Sequence, residues 1–374
     1  MKIQHCGYVR FTPLTNIPQL VVLNETRPGF RYADFASTAG HDLRFFDESQ
    51  TVELNYEIEN WDPAGDSHIW VQVPQLDDVN TCIYAYWGNA IATNIPTYTT
   101  NGATWSEGYV GVWHFNGSGH DSAIGQDGTI FGNSLFVNGI NAGALDFDGV
   151  GDYVDVGDGF ADFDGGITVE AWSRMAQFRN WTRIVDLGNG AAVDTVYLAN
   201  QGGGPNLRWE FHDTLEPGTE QHDIDAPTFV LNTWQHIVAT VDGGAPNTST
   251  SRIYIDGFQQ SQANNFTVPA NVFRTRNYIG ESNSGGDDFY TGTMDEVRIS
   301  NRDRSADWIW AVWANQFSNS TYNCFSPAGL IGGAPHIVHA GSASNLSTTT
   351  ADISANRLEG TRPRVLNDDI SCNT

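Results

Sequence analysis

The chain has 374 residues, with 44 acidic and 18 basic side chains, and its formal net charge at pH 7 is −26. Lys2 is its only lysine. Proteins that bind a phosphate backbone carry clustered Lys and Arg side chains, so this composition excludes a nucleic-acid partner. No apolar run approaches the ~18 residues that a membrane span requires. The sequence therefore predicts no membrane span.

Glycine and aromatic residues are abundant, with 39 Gly, 12 Trp, 13 Tyr and 20 Phe beside only 3 Met. This composition is typical of turns and aromatic-bearing strands rather than helical bundles, and it predicts an all-β protein. The acid excess keeps a surface solvated and self-repelling, and it also suits high-salt water or bound Ca²⁺.

Short alternating apolar runs predict strands throughout residues 1–95, which we assign to a first β-sandwich domain. One such run is Ser67–Pro74, in which alternate apolar residues share one face. Proline lacks the backbone donor of a ladder, so Pro74 is expected to end that strand. Thr81–Asn89 alternates in the same way near the end of the domain.

A stretch rich in Pro, Thr, Asn and Gly predicts a linker over residues 96–106, and a second domain is expected over residues 107–318. Its clearest strands are Gly166–Trp172 and Trp234–Val241, both of which alternate along their whole length. A further strand runs into Asp256-Gly257, a dipeptide that accepts the positive φ angles of a tight hairpin.

One segment has helical periodicity instead. Ser305 is a suitable N-cap, and the apolar residues that follow it as far as Phe317 fall on one helical face. The sequence thus predicts a single short helix near the end of the second domain.

The tail, residues 319–374, is too short for a dependable core of its own. Pro335–Ala340 and Thr350–Ala355 are predicted strands whose edges need a partner. That partner is either the second domain, tied through Cys324 and Cys372, or a neighbouring subunit. The second alternative would make the protein a self-assembling subunit of a fibre or layer.

Four cysteines without a C-x-x-C spacing indicate two disulfides, for which three connectivities exist: Cys6, Cys82, Cys324 and Cys372. Terminal strands of a sandwich are often neighbours, which favours a Cys6–Cys82 bridge. Disulfides favour an extracellular or cell-surface location, although the chain as given starts without the apolar segment of a signal peptide.

The first domain resembles an uncharacterised all-β domain of bacterial and archaeal surface proteins. The resemblance is carried by five ordered blocks: 32–35, 41–45, 56–61, 69–74 and 86–89. The second domain resembles a laminin-G-like, concanavalin A-like jelly roll. Its matching blocks are 112–115, 121–122, 144–149, 152–154, 169–172, 234–239 and 294–299.

These resemblances imply two β-sandwich domains, the second a concanavalin-like jelly roll of the lectin and glucanase superfamily. Members are mostly non-catalytic, often bind glycans or proteins, and often carry a Ca²⁺ ion at the rim. Such an ion is expected where the start of the domain meets its last strand, and the candidate ligands are Asp121, Asp127 and Asp295.

Paired carboxylates can hydrolyse glycosidic bonds, and Glu57 and Glu59 alternate on one strand about 6.6–6.8 Å apart. They lie in the first domain, however, and the jelly roll has no matching set, so a structural or surface role is favoured for them. The pairs His114/His120 and His336/His339 lack the ligand spacing of a zinc site. No catalytic residue is predicted.

The sequence therefore predicts an extracellular, non-enzymatic protein of recognition or assembly. It would act as an adhesin or glycan-binding protein, or as the subunit of a surface fibre or layer, with a glycan or a protein as partner. The alternative is a polysaccharide-acting glycoside hydrolase.

Overall fold

The computed structural model describes residues 1–212, 222–227 and 229–329, and this part of the chain consists almost entirely of antiparallel strands. The predicted all-β class and the predicted pair of sandwich domains are confirmed. The predicted tail strands 335–340 and 350–355 and Cys372 lie outside the described residues.

The first domain begins with six strands in two sheets. These two sheets pack against a shared core that includes Tyr56, Trp70 and Ile83. Strands β1, β6 and β3 belong to one sheet, and β2, β5 and β4 form the other in that order. Their bounds are β1 Lys2–Gln4, β2 Leu14–Leu23, β3 Arg44–Phe46, β4 Tyr56–Asn60, β5 Ser67–Leu76 and β6 Cys82–Tyr86.

Pro74 does not end its strand, contrary to the expectation, because β5 continues to Leu76 and pairs with Leu14. The other neighbour of β5 is β4, which pairs only with residues 68–71 of β5. Pro74 therefore lies where β5 has a partner on one side only, and an edge position tolerates its missing donor.

The second domain is a sandwich of two large sheets. Its strands are β7 Tyr109–Trp113, β8 Thr129–Phe131, β9 Leu135–Asn138, β10 Gly143–Asp148, β11 Tyr153–Asp155, β12 Gly166–Met175, β13 Arg183–Gly188, β14 Val196–Asn200, β15 Leu207–Phe211, β16 His222–Ala226, β17 Gln235–Asp242, β18 Ser249–Ile255, β19 Phe258–Phe266, β20 Arg276–Ile279 and β21 Thr291–Ser300.

The eight-stranded sheet has the order β19-β18-β17-β12-β21-β10-β9, with β7 also paired to β21, and the seven-stranded sheet has the order β16-β15-β14-β13-β20-β11-β8. Alternate apolar residues of both sheets meet in one core, as Val169 and Leu198 do. The predicted hairpin is confirmed: Asp256 and Gly257 have φ angles of 52° and 76° between β18 and β19.

The predicted helix is also confirmed. Helix α1 spans Ala306–Phe317, and the Ser305 hydroxyl accepts a hydrogen bond from the Trp308 amide at 3.2 Å. A short helix α2, Asn319–Tyr322, and strand β22, Cys324–Phe325, follow it. None of the described helices has the length and apolarity needed to cross a membrane.

The expected Cys6–Cys82 bridge is wrong, because Cys6 is bonded to Cys324. The terminal strands β1 and β6 are indeed neighbours, but β22 returns to the other edge of β1 and pairs Cys324 with Gln4. The bridge therefore joins the beginning of the first domain to the segment after the jelly roll, and does not lie within the first domain as expected.

The two outer faces of the jelly roll have different surroundings. The outer face of the eight-stranded sheet, here the covered face, packs against α1 and the first domain; Val112 and Trp310 share one core with the first domain's Trp70. The outer face of the seven-stranded sheet is here the open face, because no described helix or strand of another layer packs on it. Among the described residues, the first domain therefore covers one outer face of the jelly roll and not the other.

Candidate functional site

A row of cross-strand neighbours crosses the open face. Each side chain of the row lies beside the next one on the adjacent strand, because directly paired residues of antiparallel strands share a face. From β16 to β8 the row is Asp223, Glu210, Tyr197, Asp186, Tyr278, Asp155 and Thr129. The seven-stranded sheet therefore presents carboxylates and tyrosines on the side that faces away from its apolar core.

Tyr278 of this row also belongs to a group of exposed or half-buried rings, which we call the aromatic platform. Its members are Phe131, Tyr153, Tyr278 and Phe289. Phe131 and Tyr153 stack with ring centres 4.7 Å apart and planes 8° apart. Tyr153 meets Tyr278 edge-on at 5.6 Å and Phe289 at 6.3 Å. Phe131 is 41% exposed. Flat, pre-packed rings of this kind offer an apolar contact surface at little conformational cost.

Acidic groups flank the platform. The carboxylates of Asp155 and Glu281 both act on the Tyr153 and Tyr278 hydroxyls, whose pKa values are raised by burial and by these charges. Burial, and then the charges of Asp155 and Asp186, also raises the pKa of Glu281. The platform is thus an apolar surface bordered by hydrogen-bond acceptors.

A pocket of about 200 Å³ opens next to the platform, on strands β13 and β14 and their loops. Arg183 crosses it, with its guanidinium 3.0 Å from the Asp186 carboxylate and 2.8 Å from Asp287. The same guanidinium lies 4.0 Å from the ring centre of Tyr197. Trp181 and Asn283 also line the pocket. The side chains are therefore held by several contacts each, which fixes the positions of their donors and acceptors.

A second arginine network continues towards the sheet edge. Arg208 forms ion pairs with Glu210 at 2.9 Å and with Asp225 at 2.5 Å, and His212 lies 2.7 Å from Glu210. Burial alone would raise the pKa of Glu210, but hydrogen bonds from His212, Tyr197 and Arg208 lower it to about 2. Glu210 is therefore an ionised acceptor throughout the physiological range.

The covered face carries a different group, the seam cluster: Glu57, Glu59, His114, Glu170, Asp295, Glu296 and Arg298. It lies between the first domain and the jelly roll. Strand β21 has a bulge opposite β12, and Glu296 has a φ of 53°, which is uncommon for a residue with a side chain. Because of the extra residue, Asp295 and Arg298 both point out of the core.

Each carboxylate of the seam cluster has a fixed donor. The Trp105 indole donates to Glu57 at 2.6 Å, and the Trp70 indole donates to Glu59 at 2.9 Å. Arg298 donates to Glu296 and, at 3.1 Å, to Glu170. Its guanidinium also lies 4.4 Å from the Trp70 ring centre and 4.8 Å from that of Trp105. The two domains therefore share one buried polar network.

His114 occupies the centre of this network. Its Nδ1 lies 2.8 Å from Glu296 Oε1 and 3.8 Å from Glu59 Oε2, and its Nε2 lies 3.8 Å from Glu57 Oε2. Burial would lower the pKa of His114, but Glu296 and Glu59 raise it well above its usual value. Burial and the charge of Glu296 raise the pKa of Glu59 to about 8.

The predicted calcium ligands have other partners. Asp121 accepts hydrogen bonds from four backbone amides, those of residues 112, 123, 124 and 126. Asp127 accepts from the Asp121 amide at 3.0 Å and contacts His120. Asp295 is buried and accepts from the amides of residues 140 and 141. Asp121 and Asp127 are thus brought together, whereas Asp295 belongs to the seam cluster, and a rim Ca²⁺ stays a prediction.

Within the described residues, one group of three or more His, Cys, Asp or Glu side chains could hold a metal: Glu59, His114 and Glu296, whose ligand atoms lie within 4.8 Å of one another. Sequence spacing could not reveal it, because the three residues come from three distant segments. In the sequence, only the alternation of Glu57 and Glu59 pointed to this group.

The residues of the open face could be recognised in the sequence in another way. Tyr153 and Tyr278 alternate with the core residues Val154 and Ile279 along their strands.

Comparison with known families supports both of the resemblances that the sequence suggests. Residues 39–115 match the family described as Domain of unknown function (DUF2341), and residues 148–310 match the Concanavalin A-like lectin/glucanases superfamily. The chain thus contains one segment similar to the DUF2341 family, followed by a segment similar to the concanavalin A-like superfamily. The second match covers the whole seven-stranded sheet except β8, and the first includes Glu57, Glu59 and His114. No curated protein matches the chain.

Solved structures that are similar to part of this chain have low identity and TM-scores below 0.5. Domain 4 of AbnA, an extracellular GH43 arabinanase of Geobacillus stearothermophilus in complex with arabinotriose, is 19% identical, with a TM-score of 0.45, 55% of this chain covered and 98% of that chain. The binding domain of Paraclostridial Mosquitocidal Protein 1 is 14% identical (TM-score 0.43; 56% and 53% covered). Trypanosoma rangeli sialidase is 18% identical (TM-score 0.42; 56% and 33% covered).

Proposed function

We propose that the protein binds glycans through the open face of its concanavalin A-like domain. The observation that supports this most directly is the aromatic platform, which lies on a sheet that no other described layer covers, beside Asp155 and Glu281. A sugar ring has an apolar face of C–H groups and a rim of hydroxyls. The aromatic platform can stack on the C–H groups, and the carboxylates can accept hydrogen bonds from the hydroxyls.

The neighbouring pocket extends the same proposal. At about 200 Å³ it is smaller than the usual site for a drug-sized molecule, and it suits a single sugar unit of a longer chain. Its donors are the guanidinium of Arg183 and the amide of Asn283, and its acceptors are Asp186 and Asp287. An oligosaccharide lying on the platform would place its next unit there.

Binding without hydrolysis is part of the proposal. Glu57 and Glu59 are the paired carboxylates that the sequence offers for glycosidic chemistry, and their side chains are only 15% and 1% exposed. Both are held by indole donors inside the seam. A polysaccharide would have to separate the two domains to reach them, which favours a structural role.

An extracellular location is proposed as well. The Cys6–Cys324 bridge is stable in an oxidising compartment, and glycans on cell surfaces or in the surroundings of a cell are the ligands such a domain would meet there. The assembly hypothesis depends on tail strands that lie outside the described residues, and it stays a prediction.

The test is a glycan array followed by calorimetric titration with the oligosaccharides that bind. Tyr153→Ala and Tyr278→Ala are expected to weaken binding at least tenfold, because each removes a ring of the platform. Phe11→Ala is the matched control, since Phe11 is an aromatic residue that is 93% exposed in the first domain. The control is expected to bind like the unaltered chain.

Two results would contradict the proposal. The first is that the folded chain binds none of the neutral, acidic and amino-sugar glycans on the array. The second is binding that the platform variants retain and the Phe11→Ala variant loses. Recovered oligosaccharide should have its original mass; shortened products that disappear with Glu57→Gln or Glu59→Gln would show hydrolysis instead.

A further inference from the structure

We propose that the seam cluster is a binding site for a divalent transition-metal cation of the zinc type, held by Glu59, His114 and Glu296. The proposal is independent of glycan binding, because the seam cluster lies on the covered face. Such an ion would join the first domain, which supplies Glu59 from β4, to the jelly roll, which supplies the other two ligands.

The distances suit one metal ion. Two ligand atoms that each lie about 2.0–2.2 Å from a zinc ion are roughly 2.9–4 Å apart for angles between about 90° and 140°. His114 Nδ1 lies 2.8 Å from Glu296 Oε1 and 3.8 Å from Glu59 Oε2. All three ligand atoms are within 4.8 Å of one another. A small movement of the side chains would centre an ion between them.

One buried atom of the cluster points to a ligand. Glu59 Oε1 is buried and makes no hydrogen bond with any described residue, and the Glu59 side chain is 1% exposed. An acceptor without a donor is costly in the interior, and a cation bound to it would remove that cost. The other oxygen of Glu59, Oε2, accepts from the Trp70 indole, and the 3.8 Å distance to His114 Nδ1 belongs to this oxygen.

Outer contacts of the kind that support metal ligands are also present. Trp70 holds the second oxygen of Glu59, and Arg298 holds the second oxygen of Glu296. His114 directs Nε2 towards Glu57 Oε2 at 3.8 Å. That distance is longer than a hydrogen bond, so this nitrogen faces a carboxylate without a direct bond to it.

The charge of the site favours a dication. The cluster contains five carboxyl groups and two basic groups, His114 and Arg298, with Arg304 nearby; the carboxyl groups are those of Glu57, Glu59, Glu170, Asp295 and Glu296. Buried carboxylates need compensating charge. A dication supplies two positive charges at the place where the carboxylates converge.

The donor set selects the kind of cation. Ca²⁺ takes six to eight oxygen ligands and Mg²⁺ retains several waters, whereas imidazole with carboxylates suits zinc and its neighbours. The proposed ion is therefore distinct from the rim Ca²⁺ that the sequence predicts near Asp121 and Asp127.

The test uses the full chain after dialysis against a chelator. Co²⁺ is titrated as a spectroscopic substitute for Zn²⁺, and metal content is measured after loading with Zn²⁺. One metal per chain is expected, with a visible Co²⁺ absorption band that one equivalent of Zn²⁺ abolishes. Glu59→Gln should weaken Co²⁺ binding at least tenfold, because it replaces a charged ligand by an amide of the same shape.

Glu48→Gln is the matched control, since Glu48 is an exposed glutamate of the same domain and its loss should leave binding unchanged. Circular dichroism confirms that each variant is folded, and His114→Gln serves as a second ligand variant. The proposal is overturned if the folded chain takes up no stoichiometric metal, or if the cobalt band persists unchanged in folded Glu59→Gln. Protons would then be the compensating charge.

Discussion

The two outer faces of the jelly roll carry similar chemistry in opposite environments. On the covered face, Arg298 bridges Glu170 and Glu296 at 1% side-chain exposure, between two indole rings. On the open face, Arg208 bridges Glu210 and Asp225 at 13% exposure, with Asp225 38% exposed. Carboxylates, arginines and aromatic rings occur on both.

What differs is the layer outside. The first domain and α1 exclude water from the covered face, so every charge there must be compensated within the protein. On the open face some partners remain partly exposed, as Asp225 does, and more exposed ion pairs contribute less to stability. The same residue types therefore hold the domains together on one side and offer a recognition surface on the other.

The largest expected effect tests charge compensation. Arg298→Met should lower the free energy of unfolding by about 3–5 kcal/mol, because it leaves Glu170 and Glu296 buried without their partner. Arg276→Met, on the open face, replaces an exposed arginine. This change should alter the free energy of unfolding by less than about 0.5 kcal/mol. Urea unfolding at pH 7 measures both. Equal effects would contradict the assignment of the two faces.

Aromatic residues provide the next test. Trp172 is fully buried on the covered face, where its indole donates to Gln316 at 2.8 Å. Trp172→Ala should cost about 3–5 kcal/mol through the cavity it leaves. Tyr153→Ala should cost about 1 kcal/mol or less, because the ring is half-buried and loses chiefly its stacking on Phe131. Thermal and urea unfolding would show whether this order holds.

The third test uses acid. His236 lies on the covered face, and burial, followed by the charge of Arg298, lowers its pKa to about 3. The unfolded chain binds a proton near pH 6.5 and the folded chain does not, so stability is present above pH 6.5 and is lost as the pH falls towards 3. The loss for one group is at most about 1.4 kcal/mol per pH unit.

His236→Gln should therefore flatten the pH dependence of unfolding between pH 6.5 and 5. His120→Gln serves as the control, because the His120 side chain is 56% exposed and lies outside the covered face. Urea midpoints measured at half-unit intervals of pH give the slopes. An unchanged slope in the His236 variant would mean that water reaches this part of the covered face.

The smallest effect is expected for an open-face acid. Burial and the charges of Asp155 and Asp186 raise the pKa of Glu281, so the folded state disfavours its ionised form. Glu281→Gln should be neutral or stabilising by less than about 0.5 kcal/mol at pH 7. Calorimetry can detect the sign; a loss of more than 1 kcal/mol would show that Glu281 supports the sheet rather than a ligand.

Local features could be predicted from the sequence because their causes are local. The turn at Asp256-Gly257 follows from two residues that accept positive φ, and α1 follows from the Ser305 cap and the apolar spacing after it. The end of β5 was predicted wrongly at Pro74, because the ladder position of a proline depends on which neighbouring strand is present.

Long-range pairing was beyond the sequence. Cys6 could join any of three cysteines, and the choice of Cys324 depends on β22 returning to the free edge of β1. The seam cluster likewise combines residues from β4, β12, β21 and the segment after β7, and no spacing along the chain relates them. His114 therefore could not be recognised as the partner of Glu59 and Glu296 in advance.

By itself, the sequence determined the all-β class, the order of the two domains and the individual strands, since alternation and turn chemistry act over a few residues. Only the tertiary structure decided which sheet of the jelly roll is covered, and hence which aromatic and charged residues meet solvent. That outcome depends on how the first domain and α1 pack, which is set by the summed burial of surfaces far apart in the chain.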